Sequence, residues 1–304
     1  TLGEGNTPLL ELDWSGKPIL VKLEYLAPTG SFKDRGSAVL VTALRGLGIE
    51  RVVEESLGNA GASLAAYTGR AGIGCEVCVP HDAAAPKLAQ MAAYCAEVIE
   101  IRGKREYAAL AAWAAAAHGA YYASHVYSPF FLAGIETLAL ELWEQLGRRA
   151  PGALLVPVGS GTLLLGTYNG FVRLHQSGLV DSVPRVIAVQ AASCAPLHEA
   201  FIGDHDAAAE VALEPTMATG IAVRRPVRAS QILAAVRQSG GTILSVTETQ
   251  IEAARNQMAR EGFHIEETSA AAVAALDVLE ASDLGNGPLV VVLTGHGLKT
   301  RLSE

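Results

Sequence analysis

The chain has 304 residues, 50% of them apolar and 18% charged, so it can bury a core and is not disordered by composition. At roughly 100–200 residues per domain, that length suits one large domain or two ordinary ones. Twenty-three basic residues against 31 acidic ones leave a net charge of -8, which offers no footprint for nucleic acid or an anionic membrane.

Near the start, Pro28 to Gly36 reads PTGSFKDRG, a turn followed by a lysine that opens a helix. A Val-rich strand begins at Arg51, and Asn59 to Ala71 has helical spacing. Cys75 to Val79, Glu97 to Ile101 and Ala120 to Ala123 follow as strands, with Ala84 to Ala96 and Glu106 to His118 as helices between them. Such alternation predicts a mostly parallel sheet covered on both faces. In a second series, Leu154 to Val158, Arg185 to Gln190, Thr242 to Val246 and Leu289 to Leu293 read as strands, with Thr249 to Glu261 and Ser269 to Leu279 as helices. The fold class is therefore α/β with two sheets, whose loop ends are where such sheets place ligands. Ala108 to Ala117 is a core helix, alanine being the strongest helix former.

Ala150 to Val172 is uncharged over about a membrane-spanning length, ~20 residues. Pro151, Gly152, Pro157, Gly159, Gly161, Gly166 and Gly170 interrupt it and predict strand, turn and helix instead. Thr1 to Pro8 lacks the basic and apolar stretches of a secretory signal, and four cysteines are too few for a disulfide scaffold. A cytoplasmic setting is expected. Cys75 and Cys78 form a CxxC, but on one strand residues three apart face opposite sides, so they read as core residues and no metal site is expected.

Four short stretches carry chemistry. At the head of a helix the macrodipole favours loss of the proton from Lys33, the state an imine-forming amine requires, although taken alone the lysine reads first as a surface side chain snorkelling from an ordinary helix. Glu55 to Gly61 (ESLGNAG) lies where strand meets helix, so its backbone N–H groups suit a carboxylate; Asn59 either donates its amide to a ring oxygen or simply caps the helix. Val158 to Thr162 (VGSGT) joins strand, glycine turn and helix. With Ser160 and Thr162 as hydroxyl donors it suits a small phosphate, while the missing lysine excludes a Walker loop. Leu293 to Lys299 (LTGHGLK) offers the neutral hydroxyl of Thr294, and His296 between glycines reads as packing.

One amine, one small phosphate site, one ring-oxygen donor and one neutral partner for a ring nitrogen match pyridoxal 5'-phosphate. The chain resembles the fold type II pyridoxal-phosphate enzymes, a two-lobed, tryptophan synthase β-like architecture, and within them the threonine synthases. GEGNTPL (Gly3 to Leu9), PTGSFKDRG, GNAG (Gly58 to Gly61), VPVGSGTL (Val156 to Leu163) and TGHGLK (Thr294 to Lys299) occur in that family's order. The resemblance implies a large cofactor-binding domain over 1–36 and 140–304 with a smaller α/β domain inserted at 37–139. It implies that Lys33 joins the cofactor as a Schiff base, that Asn59 meets its O3', that Gly159, Ser160, Gly161 and Thr162 hold its phosphate, and that Thr294 meets its pyridine nitrogen. Ser56, Gly58, Asn59 and Ala60 would bind the substrate carboxylate.

The implied reaction is a carbon–oxygen lyase conversion of O-phosphohomoserine and water to L-threonine and phosphate, in a homodimer acting on a small amino acid, with Lys22, Arg35, Arg224 and Arg225 as candidates for the substrate phosphate. Three departures qualify it. Leu57 replaces a hydroxyl residue, GIAVRRP (Gly220 to Pro226) resembles serine/threonine dehydratases as much as threonine synthases, and Glu267 stands where proline is usual. A dehydratase and a catalytically silent cofactor-binding paralogue are the alternatives.

Overall fold

The computed structural model describes residues 1–56, 58–81, 83, 85–103, 105–212, 214–280 and 284–300. Its contacts divide the chain into two compact units. Unit 1 contains Thr1–Glu4, Leu26–Gly134 and residues 298–300; unit 2 contains Gly5–Tyr25 and Ile135–Gly297.

Unit 1 carries the parallel sheet β5-β4-β3-β6, built from β3 (Arg51–Glu55), β4 (Gly74–Pro80), β5 (Glu97–Ile101) and β6 (Tyr121–Tyr122). Its helices are α1 (Lys33–Gly46), α2 (Asn59–Ala71), α3 (Ala85–Ala93) and α4 (Arg105–Ala117). Along α4, Ala108 and Ala112 pack on Val53 and Cys78, because a methyl side chain lets helix and strand approach closely. The helix expected to reach Ala96 ends at Ala93, since Cys95 turns left-handed (φ 62°) and Ala96 N–H bonds back to the Met91 carbonyl at 3.2 Å. Ala84, its expected start, lies outside the described residues.

Unit 2 carries six strands in the order β1-β2-β10-β7-β8-β9. They are β1 (Leu9–Trp14), β2 (Lys17–Lys22), β7 (Ala153–Pro157), β8 (Arg185–Ala191), β9 (Thr242–Val246) and β10 (Leu289–Val292), all parallel except the antiparallel pair β1 and β2. Ser15 and Gly16 join that pair with φ of 53° and 83°, the positive-φ geometry of a two-residue hairpin turn. The chain passes from unit 1 into unit 2 within α5 (Pro129–Gln145); α6 (Thr162–Gln176), α7 (Pro196–Ile202), α8 (Ala229–Gln238), α9 (Glu248–Arg260) and α10 (Glu267–Ala274) follow.

In α10, Ala270 to Ala274 are essentially inaccessible and share one core with Leu155, Val189 and Val291. A helix apolar on every side is a core helix. It tightens into a 3-10 turn at Ala275–Asp277, so the expected helix to Leu279 is shorter. Ala150 to Val172 resolves into β7, a glycine turn and α6, as the punctuation predicts; among the described residues no helix is long and apolar enough to cross a membrane.

Candidate active site

Gly30 (φ 82°) turns the chain ahead of α1, and Lys33 is the first helical residue, with Phe32 before it making no side-chain cap. The Lys33 Nζ lies 4.9 Å from the Phe32 ring centroid and 5.6 Å from that of Phe131. The next residue, Asp34, is fully buried. It accepts the Thr29 N–H at 2.7 Å, the Thr29 hydroxyl at 2.6 Å and the Ser63 hydroxyl at 2.7 Å, which ties the turn, α1 and α2 together. Burial pushes the Asp34 carboxyl up from its ordinary value, against the pull of these bonds and of Lys299. Two residues before Lys33, the Ser31 hydroxyl is buried without a hydrogen-bond partner. Such an orphan is uncommon and invites a polar guest.

The strand order of unit 1 reverses between β3 and β6, the position at which open α/β sheets bind ligands beyond their strand ends. Ser56, Gly58, Asn59 and Ala60 leave β3 there. Gly58 is the N-cap and Asn59 the first helical residue, so the reading of Asn59 as the cap is corrected. The capping hydroxyl comes from Ser56, whose Oγ accepts the N–H of Gly58 at 3.2 Å and of Gly61 at 2.9 Å. With both lone pairs used, Ser56 keeps its proton to donate, while Ala60 N–H lies in the first turn, where intrahelical acceptors run out. Leu57 lies outside the described residues. Sequence reasoning passed over Lys87 on α3: a Cβ on Gly58 would lie 2.8 Å from its Cδ and 3.1 Å from its Nζ. Nothing in the surrounding apolar sequence signals that this lysine reaches the turn.

In unit 2, β7 and β10 are adjacent and parallel, and their C-terminal ends lead to Gly159–Thr162 and to Thr294. The fold therefore gathers these residues at one sheet edge. Gly161 (φ 84°) is the N-cap of α6, and its missing Cβ would lie 2.3 Å from Ile232 Cδ1; at Gly159 a Cβ would meet the Ile221 Cα at 2.9 Å. The first intrahelical bond runs from Leu165 N–H to the Gly161 carbonyl at 2.9 Å. The N–H groups of Thr162, Leu163 and Leu164, all buried residues, thus stand ahead of the ladder, a donor set made for an anion. Ser160 is partly exposed beside them.

Thr294 is 1% exposed, and its Oγ1 lies 2.9 Å from the Ser269 Oγ on α10. Glu267 occupies the first position of α10 and accepts from Arg255 at 2.9 Å. A carboxylate suits that end of the dipole. His296 packs edge-on against Tyr25 and His264, at centroid distances of 5.2 and 5.8 Å.

The cations expected at a substrate phosphate fare differently. Lys22 is fully buried on β2 and donates to the Thr7 carbonyl at 2.6 Å, to Gln145 Oε1 at 2.8 Å and to Glu141. Its three protons are committed, so that expectation is corrected. Arg35 is 3% exposed within α1. Arg224 and Arg225 are exposed, and the latter sits 3.7 Å from Glu210. Cys75 and Cys78 are buried, and burial pushes their thiols up to about 12 and about 11.

A phosphorylated pyridine aldehyde suits the donors of unit 2, buried N–H groups ahead of the α6 ladder for a phosphate and a neutral hydroxyl for a ring nitrogen; unit 1 by itself offers a lysine at a helix head, two residues from an orphaned hydroxyl. Comparison with known proteins agrees. Residues 1–295 match the family described as pyridoxal-phosphate dependent enzyme. The chain is 37% identical to the threonine synthase of Methanocaldococcus jannaschii over 308 residues, covering 98% of this chain and 76% of that protein. It is likewise 37% identical to the threonine synthase of Mycobacterium bovis, over 98% of this chain and 83% of that one. Among solved structures, a threonine deaminase from T.th. superposes with a TM-score of 0.82 at 28% identity, covering 98% of this chain and 94% of that one. Maize serine racemase shares the fold, with a TM-score of 0.83 at 20% identity over 96% and 88% of the two chains. The chain belongs to the pyridoxal-phosphate-dependent enzymes, as a threonine-synthase-like lyase of the fold type II class.

Proposed function

We propose that the enzyme converts O-phosphohomoserine and water to L-threonine and phosphate. The observation that carries this reading is the identity to threonine synthases, 37% along 98% of the chain. Pyridoxal phosphate, when bound, supplies an electron sink conjugated to the α carbon of an amino acid. In this reading Lys33 holds the cofactor covalently and, once released by substrate, moves protons at the α and β carbons. Gly159, Ser160, Gly161 and Thr162 bind the cofactor phosphate, Asn59 donates to its ring oxygen, and Thr294 donates to its ring nitrogen. A hydroxyl partner leaves that nitrogen neutral, which favours elimination over transamination.

Ser56, Gly58, Asn59 and Ala60 bind the substrate carboxylate, with the Ser56 proton directed to it. Lys87, close to Gly58, replaces Lys22 as the cation proposed for the substrate phosphate. We also expect a cytoplasmic homodimer, the family's arrangement.

A second reading, a serine/threonine dehydratase, draws on the two aromatic rings beside the Lys33 amine. Their negative faces suit a neutral hydroxyl leaving group better than a dianionic phosphate. Assays of phosphate and threonine from O-phosphohomoserine, and of ammonia from serine and threonine, separate the two. The expected outcome is phosphate and threonine, abolished in Lys33→Ala. Ammonia alone favours the dehydratase, and no product above the Lys33→Ala control refutes both.

A further inference from the structure

We propose that Ser269 is a positioning residue that fixes the direction of the Thr294 hydroxyl proton. The inference rests on the reading that Thr294 faces the cofactor's ring nitrogen, and it concerns how that partnership is enforced. A serine hydroxyl has one proton and two lone pairs. The Ser269 Oγ accepts the Thr294 N–H at 2.8 Å and the Gly295 N–H at 3.1 Å, which uses both lone pairs. Its own proton must therefore leave toward an acceptor. Two are in reach, the Thr294 Oγ1 at 2.9 Å and the Gly295 carbonyl at 3.4 Å, and the shorter contact has the better O–H···O geometry.

Donation the other way would set three donors against two lone pairs. Thr294 thus accepts from Ser269 and keeps its own proton for a third atom. Both residues are buried, at 0% and 1% exposure, so bulk water does not compete for that proton. The backbone supports the same arrangement, since Ser269 grips the N–H groups of Thr294 and of the residue after it. Accepting one hydrogen bond also polarises a hydroxyl and strengthens the bond it donates. The pair is a short relay that presents the Thr294 proton as a donor, with one Oγ1 lone pair taken by Ser269. A ring nitrogen meeting it is received as a neutral base with its lone pair engaged. A protonated nitrogen would have to use the remaining Oγ1 lone pair and would leave the Thr294 proton without the acceptor that a neutral nitrogen supplies.

The test is nitrogen-15 NMR of the holoenzyme reconstituted with ring-labelled pyridoxal phosphate, in the wild-type chain, Ser269→Ala and Ser269→Thr. The wild type is expected to show a neutral, hydrogen-bonded pyridine signal that does not titrate near neutral pH. Ser269→Ala should move the signal toward that of pyridine without a hydrogen bond, and Ser269→Thr should return it. A pyridinium signal in the wild type overturns the proposal. So does a Ser269→Ala signal that coincides with wild type in folded, cofactor-loaded protein. Should Ser269→Ala not load, the wild-type signal and its pH course decide alone. A wild-type chain that shows no absorption of lysine-bound cofactor instead refutes the assignment of the cofactor site itself.

Discussion

Replacing Glu141 by glutamine probes a fully buried cation of unit 2. Lys22 has no solvent exposure; it donates to the Thr7 carbonyl at 2.6 Å, to Gln145 at 2.8 Å and to the Glu141 carboxylate, which is only 15% exposed. Glu141→Gln keeps the side-chain shape but removes the carboxylate that faces the Lys22 ammonium and accepts the Asn6 and Thr7 N–H groups. Removing one partner of a buried pair costs about 3–5 kcal/mol, whereas an exposed pair contributes at most about 1 kcal/mol. For a unit of this size that predicts a fall in melting temperature of roughly 6–20 °C. Lys22→Met combined with Glu141→Gln should recover most of the loss, because the ammonium that the carboxylate balanced is then gone as well. Differential scanning calorimetry of the two variants checks the magnitude, and KM for O-phosphohomoserine of the folded double variant checks the role. A Glu141→Gln shift under about 2 °C refutes the buried-pair reasoning. A double variant that is stable but has a KM raised tenfold returns Lys22 to the substrate site.

Lys87→Met should raise KM for O-phosphohomoserine by about 10- to 100-fold, the equivalent of one charged hydrogen bond, without a matching loss of stability; unchanged steady-state kinetics would remove Lys87 from the site. Gly161→Ala forces a side chain onto a φ of 84° and against Ile232 Cδ1, so cofactor affinity measured by fluorescence titration should fall at least about tenfold; wild-type affinity contradicts the proposed phosphate turn. Thiol alkylation of the native protein should modify exposed Cys95 first, with Cys75 and Cys78 protected; equal rates at all three would contradict their burial. Those two thiols ionise at about 12 and about 11 in the fold against 9.0 ordinarily. Above that ordinary value the unfolded chain binds fewer protons, so stability should decline as pH rises through 9 toward 11 and 12, and a flat urea midpoint there would be the opposite result.

Much of this architecture is written locally. Thr242 to Val246 is a strand with the bounds its pattern predicts, and the interrupted apolar run at Ala150 to Val172 is strand, turn and helix. The hairpin of β1 and β2 left only the Ser15–Gly16 dipeptide as a signal, because β1 is largely exposed and lacks a strong apolar pattern. What the local pattern hides is set by distant partners. Lys22 reads as an available cation until the fold brings Glu141 and Gln145 to it from α5. Gly159 and Gly161 read as room for a phosphate, whereas the space their side chains would fill is taken by Ile221 and Ile232, far along the chain. Ser269 carries no motif of its own, and its contact with Thr294 joins α10 to the end of β10.

Borohydride reduction of the cofactor-loaded enzyme, followed by peptide mass spectrometry, tests the central claim most directly. The account predicts a phosphopyridoxyl group on the peptide containing Lys33 and loss of that adduct in Lys33→Ala. An adduct on a different lysine, or active enzyme with Lys33 unmodified, would contradict it.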